Sequence, residues 1–152
     1  MPDLSPPLSP ATHAATMAAW LALGRPAHIL AVALIGTAAL ALWLAAAITA
    51  AQWAWAAVLL AGAGETWFAL RVAFDQSVFA TWACSWRHPA ANPAEDMAHF
   101  DATLKRPHAG LQRNLDSRMS GARRLLQWQL ACLLLQILAL AAALILRIGH
   151  VA

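Results

Sequence analysis

Glu65 is the residue best placed to do chemistry. It follows a stretch from Ile29 to Gly64 that contains no Asp, Glu, Lys or Arg. An ionisable group set among apolar residues is a candidate for binding or passing a proton or a cation. Two further polar residues are expected at its depth, Thr37 in an earlier helix and Gln136 in a later one. Thr37, Glu65 and Gln136 would then form a polar layer across three helices. The same layer has a structural reading, in which its hydrogen bonds hold the helices to one another or to a partner subunit.

Other chemistry-bearing residues cluster further along the chain. Arg71 and Asp75 are four apart, so they can pair on one helix face, where such a pair eases the helix through an interface or receives an anionic headgroup. Cys84, His88, His99 and His108, with Glu95 and Asp96, supply metal-ligating side chains, but without a recognised ligand spacing. Solvated surface histidines are the simpler account. His28 stands at a span edge and no histidine falls inside a span, which argues against a haem held by two membrane histidines. No metal or other cofactor is expected. The chain has no phosphate-binding glycine loop, G-x-S-x-G elbow or H-E-x-x-H helix. Gly62-Ala63-Gly64 is better explained by close helix approach than by nucleotide binding.

The elements that must position these residues follow from composition and charge. The chain has 152 residues, 61% hydrophobic and 11% charged, against about 25% charged in ordinary soluble domains. Lipid can cover the apolar surface that this composition leaves over. The expectation is an all-α integral membrane protein with three transmembrane helices and an amphipathic helical cytoplasmic segment between the second and third. A single helix over Ile29 to Gly64 would be about 54 Å long, whereas the hydrocarbon core is about 30 Å thick. The run must therefore turn back, and a turn at Thr49 to Gln52 divides it best. The spans are then 29–48 and 53–74, with Trp43, Trp53 and Trp55 flanking the turn as interfacial residues. The third span, 125–147, carries Gln127, Gln129 and Gln136 but no charge until Arg147. Counted from the turn, Glu65 lies about 18 Å along its helix, near mid-depth.

The remaining regions are a Pro- and Ser-rich tail with a possible interfacial helix over Ala14 to Leu23 (1–27), a connector (76–124) and a short C-terminal tail (148–152). In the connector, Asn92, Pro93 and Glu95 form a helix start. Met97, Phe100 and Leu104 give that helix an apolar stripe. A second helix is expected to run from Leu111 into the third span. Cys84 and Cys132 read as free thiols rather than a disulfide framework.

Most of the basic residues lie between the second and third spans, which by the positive-inside rule makes that segment cytoplasmic, with the N-terminus inside and the C-terminus outside. Arg113, Arg118, Arg123 and Arg124 are expected to meet lipid headgroups or a partner. They are interleaved with Asp116 and adjoin a span, so nucleic acid is not an expected partner. The location expected is a bacterial inner membrane. The expected role is a small non-catalytic subunit or assembly factor bound to a larger membrane protein. One alternative is a homo-oligomeric transporter or channel using Glu65. Another is an enzyme using Arg71, Asp75 and the histidines on a lipid-linked substrate.

Overall fold

The structure is a computed structural model, and it describes residues 9–44, 50–104 and 114–148. Among them the chain forms five helices and no strand: α1 (Pro10–Leu21), α2 (Gly24–Trp43), α3 (Ala50–Ser85), α4 (Pro93–Thr103) and α5 (Leu115–Ile148).

Local chemistry sets the helix ends. The Ser9 hydroxyl accepts from the Thr12 N–H at 3.2 Å and Pro10 occupies the first helical position of α1, where its missing N–H is harmless. Pro26 has no N–H for the Ala22 carbonyl, and the Arg25 N–H takes that carbonyl at 3.1 Å instead. The bond is one residue shorter than an α-helical bond. Leu23 keeps right-handed helical dihedrals. The chain therefore tightens between α1 and α2 without turning away, and Pro10–Trp43 forms one 34-residue rod. The Asn92 side chain caps α4 by accepting from Ala94 N and Glu95 N. Asn114 Oδ1 accepts from Ser117 N at 3.0 Å at the start of α5.

The three long rods share one packing rule. In α5 the buried residues are Met119, Ala122, Leu126, Gln129, Leu133, Gln136 and Ala143, spaced by alternating threes and fours as far as Gln136 and then by a whole heptad. In α3, Ala51, Trp55, Val58, Gly62, Glu65, Ala69, Val72, Phe79 and Ala83 keep the same rhythm. So do Ala14, Met17, Leu21, Gly24, Ala31 and Ala38 across α1 and α2. A repeat of 3.5 residues turns a straight helix's stripe into a left-handed supercoiled seam. Gly24 meets Gln129 and Ala31 meets Gln136 at a constant offset, so α2 and α5 run in the same direction. His28 meets Glu65 and Gly24 lies against Val72, so α3 runs opposite to both.

Three helical stretches are long and apolar enough to cross a membrane: Pro10–Trp43, Ala50–Ser85 and Leu115–Ile148. Two expectations need correction. Residues Ala50 to Gln52 belong to α3 and not to a turn; Ile48 and Thr49 lie outside the described residues. The stretch Ala14 to Leu23 is not a separate surface helix, because Ala14, Met17 and Leu21 are buried in the bundle. The seam of α2 simply continues through the junction.

The bundle has two unlike ends. At one, Met17, Leu21, Phe79, Trp82, Trp86 and Met119 build an aromatic-rich core with α4 packed against it. At the other, Ala38, Trp55, Val58 and Ala143 pack closely, and Trp43 and Trp53 project outward, 85% and 75% exposed.

Candidate functional site

Between those ends lies a fully buried polar network. Glu65 is 0% exposed, as are Gln129 and Gln136. Glu65 Oε2 is 2.9 Å from His28 Nδ1, and Glu65 Oε1 accepts from Gln129 Nε2 at 2.7 Å. The same Gln129 nitrogen also donates to the Gly24 carbonyl at 2.8 Å. One carboxyl group therefore links three rods: its own helix α3, α2 through His28, and α5 through Gln129. The Glu65–His28 bond needs one proton between the two groups. A pair holding two protons, as imidazolium and carboxylate or as imidazole and carboxylic acid, presents no net charge to the low-dielectric interior.

A second, simpler rung lies one heptad along. Gln136 Nε2 donates to the Ala31 carbonyl at 3.0 Å. Each glutamine is seated by a glycine. A Cβ on Gly24 would meet Gln129 Oε1 at 2.7 Å, and a Cβ on Gly62 would meet Gln136 Nε2 at 2.8 Å and Ile35 Cγ1 at 2.5 Å. The amides reach across only because these positions carry no side chain. Gln129 Oε1 and Gln136 Oε1 are buried and accept no hydrogen bond among the described residues.

The depth of the network follows from the exposed arginines. Phe68 stacks on Trp128 at 6.4 Å between centroids, and Gly24 lies against Val72. These contacts place Arg25, Arg71, Arg123 and Arg124, all exposed, within about one helical turn of one another along the bundle axis. Glu65 is about 9 Å along α3 from Arg71, and His28 is about 4.5 Å along α2 from Arg25. The network thus sits closer to the arginine level than to Trp53. This revises the mid-depth position inferred from the turn alone.

The structure brings together only part of the expected polar layer. Glu65 and Gln136 face the same interior on successive rungs. Thr37 does not join them: it is exposed, and its hydroxyl donates to the Ala33 carbonyl of its own helix at 2.9 Å. Ala31 and Ala38 hold the buried face of α2, and Thr37 lies about 100° round from Ala38. Along the axis it is also about 9 Å beyond Ala31, the level of Gln136, and about 13.5 Å beyond His28, the level of Glu65. His28 and Gln129 take the place assigned to it. The signal that could have found them is the seven-residue spacing of Gln129 and Gln136 on one face of α5. The matching register on α2 carries Gly24 and Ala31, and His28 stands between them.

The expected interfacial pair also separates. The Arg71 guanidinium lies over the Trp67 ring, 4.8 Å from its centroid, a cation–π contact. Asp75 instead lines a cavity of about 290 Å³ with Phe79, Trp82, Phe100 and Arg118. Arg118, expected to meet lipid headgroups or a partner, faces the interior among the described residues. It is 8% exposed, pairs with Asp101 of α4, and stands 5.6 Å from the Trp82 centroid and 5.9 Å from that of Phe100. Arg123 and Arg124 are exposed. Arg113 lies outside the described residues. Trp86 Nε1 donates to Asp96 Oδ2 at 2.8 Å, so α4 is fastened to the bundle at both of its acidic positions that face inward.

Compared with known proteins, the chain matches no family model, and no curated protein or solved structure is significantly similar to it.

Proposed function

We propose that this chain is a small, non-catalytic integral membrane subunit or assembly factor, spanning a bacterial inner membrane three times and acting through a larger membrane protein partner. The distance from Arg25 to Trp43 along α2 and from Trp53 to Arg71 along α3 is about 27 Å in each case, close to the roughly 30 Å of a hydrocarbon core. The bilayer core would lie between these levels. The arginine end, with α1 and α4, would face the cytoplasm by the positive-inside rule. The N-terminus would then be inside and the C-terminus outside.

One observation carries the non-catalytic reading. Glu65, the ionisable residue set deepest in the chain, has both carboxylate oxygens bonded within the bundle and no exposed surface. A carboxyl group used up in joining three helices is suited to holding them and poorly suited to a changing substrate. What remains for interaction is the outer surface. Purification in mild detergent with mass spectrometry tests the reading: a stoichiometric larger membrane protein is the expected result. A monodisperse monomer without co-purifying protein would remove it.

A second reading has its own observation. His28 is 35% exposed while its partner Glu65 is fully buried, so a proton could reach the carboxyl group from the arginine side. A homo-oligomer using this route as a transporter or channel would lose flux in reconstituted vesicles on Glu65→Gln. Unchanged flux would dispose of it.

A further inference from the structure

Beside His28, a groove of about 180 Å³ opens between the α1–α2 junction and α3. Its polar lining is Arg25, His28 and Gln76, and its apolar wall includes Ala69, Leu70 and Ala73. The side chains of Arg25 and Gln76 make no hydrogen bond or ion pair among the described residues. The Nδ1 of His28 is committed to Glu65, which leaves its Nε2 as the atom available to the groove. No carboxylate lines it; Glu65 lies behind His28, and Asp75 lines the separate cavity on another face of α3.

We propose that this groove holds the phosphate of an anionic phospholipid, with Arg25 as its principal ligand and Gln76 as a second donor. A guanidinium presents a fork of N–H donors that matches phosphate oxygens, and an uncharged amide beside it adds a donor without a competing negative charge. Lipid is favoured over a soluble anion by position. The groove lies at the level of the exposed arginines, where the headgroup layer is proposed to be, and its wall continues onto Leu70, which is 65% exposed and would meet an acyl chain. Arg71, Arg123 and Arg124 are at the same level but do not line the groove. They would attract anionic lipid only diffusely.

The inference rests on the three-pass membrane reading, so its test scores insertion separately. The protein is reconstituted into nanodiscs of equimolar phosphatidylcholine and phosphatidylglycerol, and the lipid retained after gentle detergent extraction is counted by native mass spectrometry. Wild type is expected to retain one phosphatidylglycerol selectively. Arg25→Gln is expected to lower that retention about tenfold, the scale of one charge-assisted hydrogen bond. Gln76→Leu should lower it less, while Arg124→Gln leaves it unchanged. Equal losses for Arg25→Gln and Arg124→Gln would overturn the site in favour of diffuse attraction. Displacement of the lipid by inorganic phosphate would overturn the choice of lipid over a soluble anion. A protein that enters the discs without retaining either lipid also refutes the site, whereas failure to enter the discs refutes the membrane reading beneath it.

Discussion

The two halves of the bundle use one seam and fill it with opposite materials. Towards the Trp43 and Trp53 end, the seam is made mostly of small residues, Ala31, Ala38, Gly62 and Ala143, with Val58, Leu133 and one aromatic, Trp55. The Gln129 and Gln136 rungs lie at its arginine side. Towards α4 it is made of Met17, Leu21, Phe79, Trp82, Trp86 and Met119. The difference corresponds to the solvent proposed for each half. In lipid, burying an apolar side chain gains little over leaving it exposed, so helices associate through close approach of small residues and through hydrogen bonds. In water, burial of large apolar and aromatic groups is itself the driving force.

That contrast can be broken by substitution. The largest effect is expected at Trp82, which is stacked on Trp86 at 5.2 Å and edge-on to both Phe79 and Phe100. Trp82→Ala should cost about 3–5 kcal/mol, read as loss of hydrogen-exchange protection in α1 and α4. The half towards Trp53 should remain protected; simultaneous loss of protection there would show the two halves to be a single packing unit. The next effect is expected at Gly62, where Val would drive its Cβ into Ile35 and Gln136. Overpacking there should cost about 1–3 kcal/mol, measured by steric trapping in bilayers. Gly36→Ala is the control, since nothing lies within 4 Å of its Cβ position, and it should be neutral or slightly stabilising. The smallest effects belong to the amides. Gln129→Leu removes two bonds and should cost about 1–2 kcal/mol, and Gln136→Leu removes one and should cost about 0.6 kcal/mol. If leucine stabilised either position, apolar burial would be holding the lipid half together as well, and the contrast would fail.

The same contrast explains what could be read in the sequence. The three long apolar helices were visible because their runs are nearly free of charge, and Asn92, Pro93 and Glu95 announced α4 because caps are local chemistry. Glu65 stood out as an ionisable residue after a charge-free run. The buried face of each span was not visible by hydrophobicity, because in α2 the inward residues are Gly24, Ala31 and Ala38 while Ile29, Leu40 and Trp43 point out. Large residues mark the outside there, and a search for an apolar stripe looks at the wrong side. Thr37 was assigned by depth counted from an inferred turn, and it failed on depth and on face. Arg118 was assigned by its neighbours in sequence, whereas its environment is made by Trp82, Phe100 and Asp101 from two other helices.

The glutamine ladder has a consequence for assembly. Gln129 and Gln136 both donate to backbone carbonyls seven residues apart on a parallel helix. Backbone carbonyls recur at every residue, so α5 could slip by one heptad and still offer Gln129 to Ala31. Glu65 makes the slip detectable, because its Oε1 would then lose the amide that bonds it at 2.7 Å. The carboxyl group acts as a proofreading tooth. It does not supply the attraction that brings the last helix in, but it penalises this slip, in which Ala122 would replace Gln129 opposite Glu65. The opposite slip would bring Gln136 to Glu65 and leave Ala143 opposite Ala31.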